Sequence, residues 1–145
     1  MGNAYVVNID DFIVKEKLNE PSWDKGGFDR SCLERQVLIP STSNKSIAYE
    51  ELLWETSRFS RPKVVPPVDY LIIEGISCYH PDIAQYYDYK IWIDTPIGVA
   101  RARGQARDTA NENAALWSMW AENDLAYQHY KKRHKILDSV NVGLT

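Results

Sequence analysis

Two carboxylates in this sequence stand where short apolar runs stop. AYVVNI, Ala4 to Ile9, closes on Asp10-Asp11-Phe12, and Tyr70 to Ile73 runs without polar interruption into Glu74-Gly75. An apolar run of that kind suits a parallel strand covered on both faces. Open α/β sheets bind their ligands at the C-terminal ends of such strands. Parallel strands would therefore bring Asp10 and Glu74 to one edge of a sheet. Two carboxylates there can hold Mg²⁺, directly or through water, and one can act as a base toward a hydroxyl. Gly75 lets the backbone turn and leaves room for a ligand. The same residues equally allow Asp10-Asp11 to cap a turn and Glu74 to end a buried strand at the surface.

A second group is cationic. In VARARGQARD, Val99 to Asp108, Arg103 and Arg107 are four apart and share a helical face, while Arg101 points elsewhere. Two guanidiniums on one face suit a polyphosphate and would offset charge on a phosphoryl group in transfer. A solvated basic face has the same pattern. Asp29 and Tyr49, a carboxylate and an aromatic flanking loops, are candidates for a sugar or base site, and each also has an ordinary structural reading. His80, His129 and His134 have no metal-ligand spacing, which disfavours zinc. No G-x-S-x-G occurs.

The elements that must position these groups alternate. Ala4 to Ile9 is a strand. Ile13 to Gly27 is polar, broken by Pro21 and Gly26-Gly27. Asp29 caps a short helix, with Phe28 packing on Leu33 as a staple, and Pro40 is expected to end it near Leu38. Ser41 to Ser46 is loop, and Ile47 to Pro67 is an excursion of β-ribbon type outside the main sheet. Val68 to Ile76 holds the central strand, and a short helix starts at Pro81. Lys90 to Asp94 is a third strand. Thr95 caps a helix with Pro96 at its first position, running to about Asp108. Thr109 and Glu112 have capping-box spacing for the next helix, whose Leu116, Trp117, Trp120, Tyr127 and Tyr130 lie on roughly one face. Ser139 to Leu144 is a last strand. This order implies an α/β fold, a parallel sheet flanked by helices.

Composition narrows the function. The chain has 145 residues, one domain by length, with 17 Lys plus Arg against 20 Asp plus Glu. A net charge of −3 gives no support to nucleic-acid binding. Five Trp and nine Tyr supply aromatics for cores and for nucleobase pockets alike. Cys32 and Cys78 form no metal-spaced pair and read as reduced thiols of a cytoplasmic protein. No signal peptide and no membrane-spanning run is seen.

The collected residues resemble, in order and over nearly the whole chain, the uridine kinase family of P-loop nucleoside kinases. The series is NIDDF (Asn8 to Phe12), FDRSCLERQVLIP (Phe28 to Pro40), AY (Ala48-Tyr49) and VDYLIIEG (Val68 to Gly75). It continues with YYDYKIWIDTP (Tyr86 to Pro96), RGQARD (Arg103 to Asp108) and W-x-x-W (Trp117 to Trp120). The resemblance implies ATP and Mg²⁺ as cofactors and a nucleoside 5′-hydroxyl as acceptor. It implies Asp10 as the base, Glu74 as a metal ligand, and Arg103 and Arg107 on a lid helix over the phosphates, with residues 97–136 as lid and following helix. It implies Asp29 at the ribose and Tyr49 near the nucleobase, with residues 41–67 as a substrate-side excursion. Ile13 stands where many uridine kinases carry Tyr, and Trp54 falls near a position often occupied by a base-reading His. NIDDF followed by LIIEG also looks like nicotinamide riboside kinases.

The family's G-x-x-x-x-G-K-[ST] loop has no counterpart in these 145 residues. That loop supplies the backbone cradle, the phosphate Lys and the Mg²⁺ hydroxyl. The expectation is an N-terminally truncated P-loop NTPase: a C-terminal piece of a kinase, or a non-catalytic remnant that binds nucleotide or self-associates. A missing central strand would expose edges and apolar surface that a complementing N-terminal segment or a homo-oligomer would cover.

Overall fold

The computed structural model describes residues 2–14, 27–53, 55–56, 58–108 and 116–144. Pro21, Gly26, Trp54 and the Thr109–Glu112 capping box lie outside them. The chain forms two compact units, the first reaching to Tyr87 and the second running on from Asp88.

In the first unit, β1 (Ala4–Asn8) pairs in parallel with β6 (Tyr70–Glu74). The register runs from Ala4 opposite Tyr70 to Asn8 opposite Glu74. A reciprocal clamp sets it at the start: Asn3 N–H donates to Asp69 Oδ2 and Asp69 N–H to Asn3 Oδ1, both at 2.8 Å. Side chains then alternate between the faces. Val7 is fully buried on one face, but on the other Val6, Tyr70 and Ile72 are 52%, 63% and 47% exposed. The uninterrupted apolar run of β6 is thus covered on one face of this unit, not on two. Among the described residues this sheet has only two strands, and the unit's buried core lies on the Val7 side.

Asp29 caps the first helix as expected, its Oδ1 accepting from Cys32 N–H at 2.8 Å. α1 (Arg30–Leu33) leads into a π turn, Glu34–Leu38, and then α2 (Ile39–Thr42). The expected stop near Leu38 does not occur, and Ile39 is helical at φ −61°, ψ −47°. The wider turn explains this. Ile39 N–H reaches back five residues to Glu34, and Pro40 then falls in a new first turn, where its missing donor costs nothing. Val37 and Leu38 are buried by this segment.

Residues 47–65 form the ribbon. β2 (Ile47–Tyr49) pairs antiparallel with β5 (Lys63–Val65), and inside that pair β3 (Leu52–Leu53) meets β4 (Arg58–Phe59). Lys63 Nζ binds Glu51 Oε1 at 2.7 Å across it. The helix expected at Pro81 is a 3-10 turn, Pro81–Tyr86.

In the second unit, β7 (Ile91–Ile93) and β8 (Val142–Leu144) are parallel. Ser139 belongs to a 3-10 turn, Ile136–Ser139, so the last strand is shorter than the 139–144 run suggests. The parallel strands therefore come as two separate pairs, each within one unit, in a mixed α/β architecture. α3 (Ile97–Asp108) and α4 (Trp117–Arg133) complete this unit. Trp92, Tyr127 and Tyr130 stack in sequence, with centroids 6.3 and 5.8 Å apart. The Arg101 guanidinium ties α3 to Asp124 of α4 at 2.6 Å. Among the described residues no helix is long and apolar enough to cross a membrane.

Trp117 lies against Gly104, and a Cβ there would overlap its indole. Gly104→Ala should therefore push Trp117 aside and cost about 1–3 kcal/mol, as overpacking does. The tryptophan near-UV signal and thermal unfolding check this; because Ala gains about 1 kcal/mol over Gly in a helix, an unchanged near-UV signal is the result that would refute the contact.

Candidate active site

The site grows from the C-terminal end of the β1–β6 ladder. Asn8 ends β1, and its Oδ1 accepts from Asp10 N–H at 2.9 Å, capping a 3-10 turn over Ile9–Phe12. Three residues per turn send side chains 9 and 12 one way and divide 10 from 11. Ile9 and Phe12 are accordingly buried, while Asp10 and Asp11 diverge. Asp10 lies in the field of Glu74, and Asp11 reaches toward the ribbon, where its Oδ1 accepts from Leu52 N–H at 3.1 Å.

Glu74 is level with Asn8 across the ladder. The structure thus brings Asp10 and Glu74 to one rim. Burial, then the Glu74 and Asp11 charges, push the Asp10 carboxyl above its ordinary range. A raised pKa makes Asp10 a better proton acceptor from a hydroxyl than a solvated aspartate. The backbone after Glu74 permits the close approach. Gly75 has φ +119°, and a Cβ there would stand 2.6 Å from Ile9 Cγ2. Ser77 follows at φ +68°, with its hydroxyl buried and unbonded among the described residues.

Beside the rim is a cleft of about 210 Å³. Asp11, Phe12 and Ile13 form one part of it; Asp29, Cys32 and Gln36 line it from the helix; Glu50 and Phe59 line it from the ribbon. Asp29, one of the expected substrate residues, is therefore at the cleft. Tyr49 is 1% exposed and backs the cleft from beneath, its ring stacked on Phe12 at 5.7 Å and its hydroxyl 3.1 Å from that of Tyr5. Burial and the Tyr5 hydrogen bond hold its phenol far above the ordinary range. Sequence reasoning missed Asp11, Cys32, Gln36, Glu50 and Phe59. The spacing of 29, 32 and 36 was a usable signal, because i, i+3 and i+7 share a helix face.

Arg103 and Arg107 are both exposed on α3, in the second unit. Arg107 forks onto the buried Asp108 carboxylate through Nε at 2.8 Å and Nη2 at 2.9 Å. Trp117 Nε1–H donates to the same carboxylate at 3.2 Å. Arg103 has no partner among the described residues.

Two adjacent carboxylates fit a divalent cation that takes its other ligands from water and phosphate oxygens. Among the described residues no group of three or more His, Cys, Asp or Glu could hold a metal on its own.

Removing the Asp10 charge should stabilise the fold while damaging the site. A carboxyl raised in the folded state contributes stability below its unfolded pKa, near 3.8, and loses it as pH rises through the folded value. Asp10→Asn should therefore melt higher than the parent at pH 7, with the difference vanishing as pH falls below that ordinary value. Equal melting temperatures at neutral pH would contradict the burial argument. Gly75→Ala should behave oppositely, losing roughly 1–3 kcal/mol from its positive φ and the Ile9 contact, read by urea unfolding.

No protein-family model matches this sequence, and no curated protein is significantly similar to it. Solved structures do match. One, "Possible Uridine Kinase" from Bacillus stearothermophilus, superposes with a TM-score of 0.70 at 16% identity over 99% of this chain and 73% of its own. Another, a "putative fructose transport system kinase" from Silicibacter sp. TM1040, gives 0.71 at 18% identity over 98% and 75%. At such identities the likeness is one of fold: this chain is built on the α/β fold of those two structures.

Proposed function

We propose that this chain carries the acceptor side and the base of a nucleoside kinase, which moves the γ-phosphoryl of ATP to a 5′-hydroxyl of uridine, cytidine or a related nucleoside. The observation that carries the reading is the pairing of Asp10 with Glu74 at one strand-end rim, next to a cleft that already contains Asp29. Asp10 accepts the hydroxyl proton as the oxygen attacks phosphorus. Asp29 holds the ribose, and Tyr49 supports the aromatic wall at Phe12 from below. Glu74 and Asp10 would hold Mg²⁺, which would supply charge to offset that on the phosphate oxygens. Arg103 and Arg107 serve the phosphates, Arg107 in an orientation fixed by Asp108.

A glycine-rich phosphate loop must come from outside these residues, on the same polypeptide or from a partner. The exposed Val6, Tyr70 and Ile72 face supports a segment packed over that face of the sheet. The same face favours the second reading, a non-catalytic nucleotide-binding or self-associating remnant. A nicotinamide riboside kinase-like activity belongs to the first reading with a different acceptor.

Phosphotransfer from ATP-Mg²⁺ to a nucleoside panel, with and without a supplied Gly-rich Lys-Ser segment, separates the readings. We expect turnover only with the segment and a loss of about 10²–10⁴-fold in Asp10→Asn, the usual worth of a positioned base. Turnover that is indifferent to Asp10→Asn sinks the assigned role; a complemented chain without turnover favours the remnant.

A further inference from the structure

The described residues that line the cleft beside Asp11 carry charge of one sign. Among the described residues its ionisable lining is three carboxylates, Asp11, Asp29 and Glu50, and the Cys32 thiol, with no Lys, Arg or His. Two of the carboxylates already spend one oxygen on the backbone, Asp11 on Leu52 N–H and Asp29 on Cys32 N–H. Glu50 spends none among the described residues. Lys63 is paired with Glu51, the neighbour of Glu50, at 2.7 Å. The Cys32 thiol registers the local field: burial raises its pKa most, and Asp29 and Glu50 raise it further against the opposing effect of Arg35.

We propose that Glu50 determines acceptor specificity, selecting a nucleoside whose ring presents amino donors or a positive charge over one that presents only carbonyl oxygens. This rests on the reading of the cleft as the acceptor pocket. An ionised carboxylate only accepts hydrogen bonds, so it rewards N–H groups and repels carbonyl oxygens. A concave wall of like charge concentrates cations and excludes anions. Phe12 and Phe59 add aromatic surface, whose faces are negative and favour an electron-poor or cationic ring over a neutral one. Gln36 donates and accepts alike, and so orients a ring without choosing between the two classes. Glu50 is exposed at the ribbon, so a change there alters the cleft without disturbing the core.

Calorimetric titration of the full chain with cytidine, uridine and an N-ribosylpyridinium tests the inference. Cys32 alkylation, followed by peptide mass spectrometry in parallel, reports occupancy of the cleft. We expect cytidine and the pyridinium riboside to bind at least about tenfold tighter than uridine and to protect Cys32. In Glu50→Gln, at an unchanged melting temperature, the preference should shrink to within about threefold. Uridine binding as tightly as cytidine, binding that leaves Cys32 unprotected, or an unchanged preference in Glu50→Gln overturns the inference and leaves the kinase reading standing. If none of the three ligands binds, the nucleoside reading itself falls and takes this inference with it.

Discussion

The β1–β6 ladder is the constraint on which the candidate site depends. Its register puts Asn8 opposite Glu74, and every later placement follows from that. Asn8 caps the turn that carries Asp10 and Asp11. Gly75, on the other strand, takes the positive φ that brings its backbone against Ile9. A one-residue slip would move Glu74 to the opposite face of the sheet and part it from Asp10. The clamp between Asn3 and Asp69 at the far end of the ladder is therefore a positioning device for the site, although Asp69 precedes Glu74 by five residues and Asn3 precedes Asp10 by seven.

Placing two acids together has an electrostatic cost, and the site keeps that cost local. Asp10 bears it through burial and the Glu74 charge. Asp11, though also raised by burial, is partly relieved by the Leu52 N–H and by Lys63. The 3-10 turn makes the division possible, because it points consecutive aspartates at different environments. In the second unit the same economy appears with opposite sign. Asp108 is buried, and Arg107 and Trp117 both satisfy it. A guanidinium anchored in this way gives up some of its reach, while Arg103, one turn earlier, keeps its own.

Much of this was legible in the sequence. Apolar runs ending in Asp10 and Glu74 identified the paired strands, because side-chain polarity changes where a buried strand meets a rim. Asp29 before a short apolar segment identified a cap. Other features depend on contacts that no local pattern encodes. The π turn that carries the helix past Pro40 was not visible, since the rule for residues before proline assumes ordinary helical geometry. Tyr49 looked like a ligand-facing aromatic, yet it lies under Phe12, and only the pairing of β2 with β5 decides which way it turns. The missing cover on β6 was hidden for a related reason: an apolar run records what a strand is suited to, not what is packed against it.

That last feature separates two properties usually treated as one. Val6, Tyr70 and Ile72 keep about half of their surface in water in the folded unit, so folding this unit gains less from them than from the fully buried Val7. Its resistance to denaturation must be drawn from the opposite face and from the helix and ribbon packed there. The three wet apolar side chains, by contrast, add to the apolar surface on which association in water depends. In this chain, dispersion in water and conformational stability can be altered independently, by changing different sides of the same two strands.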